Sequence, residues 1–96
     1  MKVSNIVNNR GNIVANQFII ETDNATYFQS YKSIIVKIED GEIRNGVHSA
    51  DKVTLDPVYW NYSRTTSKHR SSFLGESTKE TEKKIKQGIY ILENLN

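Results

Sequence analysis

Apolar residues recur at intervals of two through the first half of this chain, and helix-like spacing and capping signals take over after an aromatic cluster at residues 59–62. ANQFIIET and ATYFQSY, from Ala15 on, are rich in β-branched and aromatic residues. Asp23-Asn24 between them suits a tight turn with positive φ, so the two segments predict a hairpin. SIIVKIE follows, with Ile34, Val36 and Ile38 alternating with Ile35, Lys37 and Glu39, the rhythm of a strand with one buried face. Asp40-Gly41 is the strongest turn signal in the chain and predicts a two-residue hairpin that sets Ile38 opposite Ile43 and the like charges Lys37 and Arg44 opposite each other. Asn45-Gly46 offers another bend, KVTL at 52–55 a short strand, and Asp56-Pro57 a stop.

Beyond the aromatic cluster, Ser63 or Thr65 can cap a helix running to Leu74, and Gly75 stands where a left-handed C-terminal cap belongs. Ser77-Thr78-Lys79-Glu80 is a capping box that opens a second helix. Glu80–Lys84 and Glu82–Lys86 are spaced as i,i+4 ion pairs on it, and Gly88 ends it. IYIL at 89–92 reads as a strand returning to the sheet. The expected fold is therefore α+β: a small, mainly antiparallel sheet of four or five strands, covered on one side by two short C-terminal helices. No repeat, low-complexity tract or linker divides the 96 residues, so they are read as one domain, with the Asn-rich residues 1–12 loosely held.

Composition narrows the chemistry. An apolar fraction of 36% implies a thin core, and the absence of cysteine removes disulfides and thiolate metal sites. Neither a signal-peptide pattern nor a run of about 20 apolar residues is present, which points to a cytoplasmic protein without a membrane partner. A net charge of +2 is too small for nucleic-acid binding by bulk electrostatics and argues against an acidic nucleic-acid mimic. No phosphate-loop, dinucleotide, zinc-protease or EF-hand spacing occurs. His69 lies among Ser67, Ser71 and Ser72 on one short helix, where a Ser–His pair rarely works, and it reads better as packing at the helix edge. His48 with Asp51 makes a poor ligand set. The expectation is no catalytic residue, no metal and no cofactor.

The unusual segment is YWNYSRTTSKHR, residues 59–70, with three aromatics, three fixed cations and a histidine. Tyr59, Trp60 and Tyr62 suit a small core, where aromatic side chains dominate. Helix geometry puts Arg64 and Lys68 on one face, with Arg70 about 140° round the helix from that face's midline. Arg64, Lys68 and Arg70, which nothing nearby in sequence neutralises, are expected to be exposed and, with Tyr62, to form a partner-binding surface, since Trp, Tyr and Arg anchor interfaces. The same segment could hold phosphates and stack on bases, so a nucleic acid is the alternative partner.

YFQSYKSIIVKI, YWNYSRTTSKHRSSFLGE and TKETEKKIKQGIYIL resemble, over residues 27–95, a family of small uncharacterised proteins of Firmicutes bacteriophages, prophages and conjugative elements. The YSRTTSKHR…FLG core with its TEKKI helix is the specific part, and NGVHSADKVTLDP is a longer connection than the resemblance leads one to expect. The resemblance carries no activity. It implies a mobile-element accessory protein that inhibits a host macromolecule, a protein or ribonucleoprotein complex of the host's defence, as anti-CRISPR proteins do. A nucleic-acid-binding regulator is the second expectation and a small-molecule or nucleotide-signal binder the third.

Overall fold

The structure, a computed structural model, describes residues 1–41, 43–44, 47–48 and 51–96. Its main sheet has six strands in the order β1 (Lys2–Val7), β2 (Ile13–Glu21), β3 (Ala25–Ser30), β4 (Ser33–Glu39), β7 (Lys52–Leu55) and β8 (Ile91–Leu92). A separate two-stranded ribbon pairs β5 (Ile43–Arg44) with β6 (Val47–His48). Helices α1 (Arg64–Leu74) and α2 (Thr78–Lys86) lie between β7 and β8 in the chain. Every pairing in the main sheet is antiparallel except β7 with β8. Parallel neighbours cannot be joined by a tight turn, so the two helices serve as the crossover that this pairing requires.

The core follows from register. Ile19, Phe28, Val36 and Leu55 are successive Cα partners across β2, β3, β4 and β7, so alternation points them all to one face. Phe28, Val36 and Leu55 are fully buried there. Phe73 of α1 stacks on Phe28 with ring centroids 5.7 Å apart, and Leu74, Ile85, Tyr59 and Trp60 pack around the same cluster. Val36 and Ile38 face this core as expected. Ile34 does not, because a bulge between β3 and β4 pairs Phe28 with Val36 and Gln29 with Ile34, and the extra residue, Ile35, is the one buried.

The Asp40-Gly41 hairpin is corrected. Ile38 pairs with Val53 and Val36 with Leu55, so β4 returns through β7 rather than through residue 43, and Ile43 pairs with His48. The observed register buries Leu55 and sets Glu39 opposite Lys52, with the charged groups 3.8 Å apart. The predicted one would have faced Lys37 with Arg44. The bend at Asn45-Gly46 lies outside the described residues. The 22–25 turn forms, but Asp23 and Asn24 keep negative φ, and Thr22 closes it by exchanging hydrogen bonds with Ala25 at 2.8 and 3.1 Å. Lys2–Val7, expected to be loosely held, form the edge strand β1, and β1 takes the sheet beyond the four or five strands expected.

Asp56 is more than a stop. Its buried carboxylate accepts the amide hydrogens of Val58 and Tyr59 at 2.9 and 3.1 Å, and of Leu95 at 2.9 Å, and the Asn96 side-chain amide at 3.0 Å. Asn96 in turn bonds both backbone groups of Ile34, at 2.7 and 2.9 Å. One carboxylate thus fixes the turn into the aromatic segment and the C-terminal tail together. Burial alone would raise its pKa, but these four hydrogen bonds hold it below the usual carboxylate value.

Candidate partner-binding surface

The surface grows out of the Asp56 turn. Trp60 N–H donates to the Asp56 carbonyl at 3.0 Å, which turns Tyr59 and Trp60 inward onto the core cluster. Tyr62 stays 54% exposed and meets Tyr59 edge to face, with ring centroids 5.4 Å apart. Ser63 then caps α1: extended backbone at Ser63 lets its oxygen accept the Thr66 amide hydrogen at 3.2 Å. Gly75, at φ 69°, closes the other end in the left-handed conformation that the sequence predicts.

Helical spacing sorts the side chains of α1. Thr66, Arg70, Phe73 and Leu74 form the stripe toward the sheet, and Arg64 and Lys68 point to solvent. Thr66 shares a hydrogen bond of 3.0 Å with Ser30, both buried. Tyr62 and Arg64 line one shallow recess with Asn61, Ser63 and Ser67. Lys68 lines a second cleft of about 310 Å³, between α1 and the β1–β2 end of the sheet, with His69, Ser72, Ile6 and Val14 among its walls. His69 is half-buried at that edge, and burial, with Lys68 nearby, lowers its pKa. Neither Arg64 nor Lys68 makes a salt bridge among the described residues, and the first turn of α1 has no acidic residue.

Arg70, expected on this surface, is fully buried. It lies four residues after Thr66 on the inward stripe, and its guanidinium finds partners there that a flexible surface cation would lack. Nη1 donates to the Trp60 carbonyl, Nη2 donates to Thr78 Oγ1 at 2.7 Å, and the guanidinium carbon sits 5.2 Å from the centroid of the Trp60 ring. Ser71 and Ser67 hydroxyls are farther away, at 3.4 and 3.5 Å. Burial lowers the Arg70 pKa and the charge of Glu76 opposes that. One side chain therefore joins the aromatic turn, α1 and the start of α2. It positions the surface without belonging to it.

Glu76 is the second such group, and nothing in the pattern of residues marks it. Its side chain is 4% exposed and takes Lys84 Nζ at 3.0 Å, Thr81 Oγ1 at 2.9 Å and the Tyr90 hydroxyl. Burial would raise its pKa, and these hydrogen bonds bring it below the ordinary value. Lys84 was expected to pair with Glu80. Instead the Glu80 carboxylate closes the capping box, accepting the Ser77 amide hydrogen at 3.2 Å, while Glu82–Lys86 forms at 3.1 Å. Gln17, on β2, was also missed: it is fully buried and neither side-chain atom has a hydrogen-bond partner among the described residues.

A model described as a family of unknown function (DUF8033) matches residues 1–89, and the chain belongs to that family. No curated protein and no solved structure matches the chain. No helix among the described residues is long and apolar enough to cross a membrane.

Proposed function

We propose that this member of DUF8033 is a non-enzymatic accessory protein of a phage or other mobile element, acting in the cytoplasm of a bacterial host, where it binds and inhibits a component of host defence in the manner of an anti-CRISPR inhibitor. The resemblance of residues 27–95 to mobile-element proteins supports the setting. The observation that carries the binding reading is the division along α1, where Arg70 is locked inside and Tyr62, Arg64 and Lys68 stand outside beside a helix start with no acid. An exposed tyrosine next to an arginine is the usual composition of an interface anchor.

Protein is favoured over nucleic acid by number. With Arg70 internal, two fixed cations remain at the site, and two phosphate contacts give a salt slope of only about −1.8, against the six to ten contacts of a firm duplex binder. The cleft at Lys68, at about 310 Å³, is near the lower limit of ligand pockets, roughly 300 Å³, which leaves a small-molecule binder as the third reading. The test is affinity capture from extracts of a Firmicutes host by the wild type and by Tyr62→Ala/Arg64→Ala/Lys68→Ala, with and without nuclease. The expected result is a protein partner retained after nuclease and lost with the triple variant. A partner that nuclease removes would favour the nucleic-acid reading, and equal capture by both proteins would remove this surface from function.

A further inference from the structure

We propose that the trough between α1 and the β1–β2 side of the sheet is the docking site for one amphipathic helix of a partner protein, lying antiparallel to α1. The cleft of about 310 Å³ at Lys68 and a second of about 520 Å³ that reaches Glu21 and Phe73 share Ile6, Val7 and Ser72 as walls, so the two make one continuous trough. On the α1 side its wall is Lys68, His69, Ser72 and Phe73, positions i, i+1, i+4 and i+5 on one flank of the helix. Its floor is apolar. Ile6, Val14 and Ile19 are half-buried there, and Val7 is 56% exposed. The inference rests on the reading of Lys68 as a partner contact and names the form the partner takes beside it.

Width, length and charge identify the occupant. Phe73 stacks on Phe28, which sets this end of α1 over β3, and β1 is two strand spacings away, about 10 Å. Helix axes pack about 8–10 Å apart, so the space beside α1 is one helix wide. In length it runs from Glu21, whose partner on β1 is Lys2, to Val7, a distance of about 17 Å along the strand or about three turns of helix. A strand added to the edge of β1 would lie beyond the floor, which includes Ile19 of β2 and Thr26 of β3. A second copy has no helix to give, since α1 and α2 spend Phe73, Leu74 and Ile85 on their own core. The ends of the trough set the direction. Lys68, Asn8 and Asn9 stand at one end and Glu21 at the other, and neither Lys68 nor Glu21 makes a salt bridge among the described residues. Asn8 Oδ1 already accepts the amide hydrogens of Arg10 and Asn12 at 2.9 and 3.0 Å, which leaves its side-chain N–H groups to donate outward. Free carbonyls at a helix C-terminus call for a cation and N–H donors, and the N-terminus calls for a carboxylate. The docked helix therefore ends at Lys68 and starts at Glu21, opposite in direction to α1, so that the two macrodipoles attract.

The test selects a phage-displayed, helix-biased library of peptides of about 16 residues, long enough for the trough, on the immobilised full chain. Enriched peptides are then synthesised and titrated into ¹⁵N-labelled protein. Expected are sequences with an apolar i, i+3, i+4, i+7 stripe, amide shifts confined to residues 5–8, 19–21 and 68–73, and affinity lower by about tenfold or more in Ser72→Arg and in Val7→Lys. Ser72 and Val7 are both exposed, so each variant should keep the wild-type circular dichroism and melting transition, and either one suffices if the other fails to fold. A nitroxide at the peptide's C-terminus should broaden Asn8, Asn9 and Lys68, and one at its N-terminus Glu21 and Thr26. Tyr62→Ala/Arg64→Ala should bind the peptides as the wild type does, so the fate of the trough and the fate of host-partner capture are read separately. No enrichment, shifts outside the trough, reversed broadening, or wild-type affinity in a folded Ser72→Arg or Val7→Lys would each overturn the proposal.

Discussion

Arg70→Ala is expected to cost more than truncating any other polar side chain on α1, because the guanidinium ties three segments together. Its two close bonds, to the Trp60 carbonyl and to Thr78 Oγ1 at 2.7 Å, involve a charged donor and are worth about 1.5–3 kcal/mol each. Stacking on Trp60 adds about 0.5–2 kcal/mol. Against this stands the desolvation of a cation that meets no carboxylate directly and whose Nε has no partner among the described residues, a cost of several kcal/mol. The net loss comes to about 3 kcal/mol, a large part of the roughly 5–14 kcal/mol expected for 96 residues. Urea unfolding followed by Trp60 fluorescence measures it: at an m-value near 1 kcal/mol/M the midpoint should fall by about 3 M. Arg70→Lys should recover less than half, since an ammonium cannot reproduce the planar fork. Midpoints for Arg70→Ala within about 0.5 M of the wild type would refute the reasoning and return Arg70 to the surface.

Arg64→Ala and Lys68→Ala should each change stability by less than about 0.5 kcal/mol in the same urea assay, as exposed substitutions do. Asp56 and Glu76 both have folded-state pKa values below their ordinary ones, so the stability they contribute is present above the unfolded values of about 4 and is lost as pH falls through the folded ones. A pH titration of the urea midpoint should therefore drop below about pH 4, and Asp56→Asn/Glu76→Gln should flatten that limb. Gln17→Met should raise the melting temperature, because a similar shape replaces a buried amide without partners, whose cost is about 1–3 kcal/mol. A lower melting temperature would show that the amide is satisfied.

Local signals and global packing explain which features could be read in advance. Both helices were legible, since Ser63, Gly75 and the Ser77–Glu80 box act within a few residues of themselves. The α+β class and the return of residues 91–92 to the sheet were legible for the same reason. Asp40-Gly41 misled because the turn preference of two residues is small beside the burial gained when Val53 and Leu55 reach β4. The turn that does form tightly, Tyr31-Lys32 between β3 and β4, holds Tyr31 at φ 55° and carries no glycine or asparagine to mark it. At the candidate surface, Arg64 and Lys68 were placed outside correctly, while Tyr62, which suits a core as well as Tyr59 and Trp60 do, turns out 54% exposed. Arg70 was not, because an arginine on an inward stripe is read as an error in amphipathicity until the acceptors from Trp60 and Thr78 are known. Glu76 and Gln17 were hidden because their burial depends on contacts far along the chain, such as Tyr90 for Glu76.

The central claim is that Tyr62, Arg64 and Lys68 grip a protein partner while Arg70 holds the fold. Its most direct test is the Kd of the captured, purified partner for the wild type and for Tyr62→Ala/Arg64→Ala/Lys68→Ala, at 50 and 200 mM salt. The melting temperatures of both proteins are measured alongside. The account predicts equal melting temperatures, a loss of affinity of about 30-fold or more, as for anchors worth about 2 kcal/mol, and a mild dependence on salt. Equal Kd values for the two proteins would contradict it.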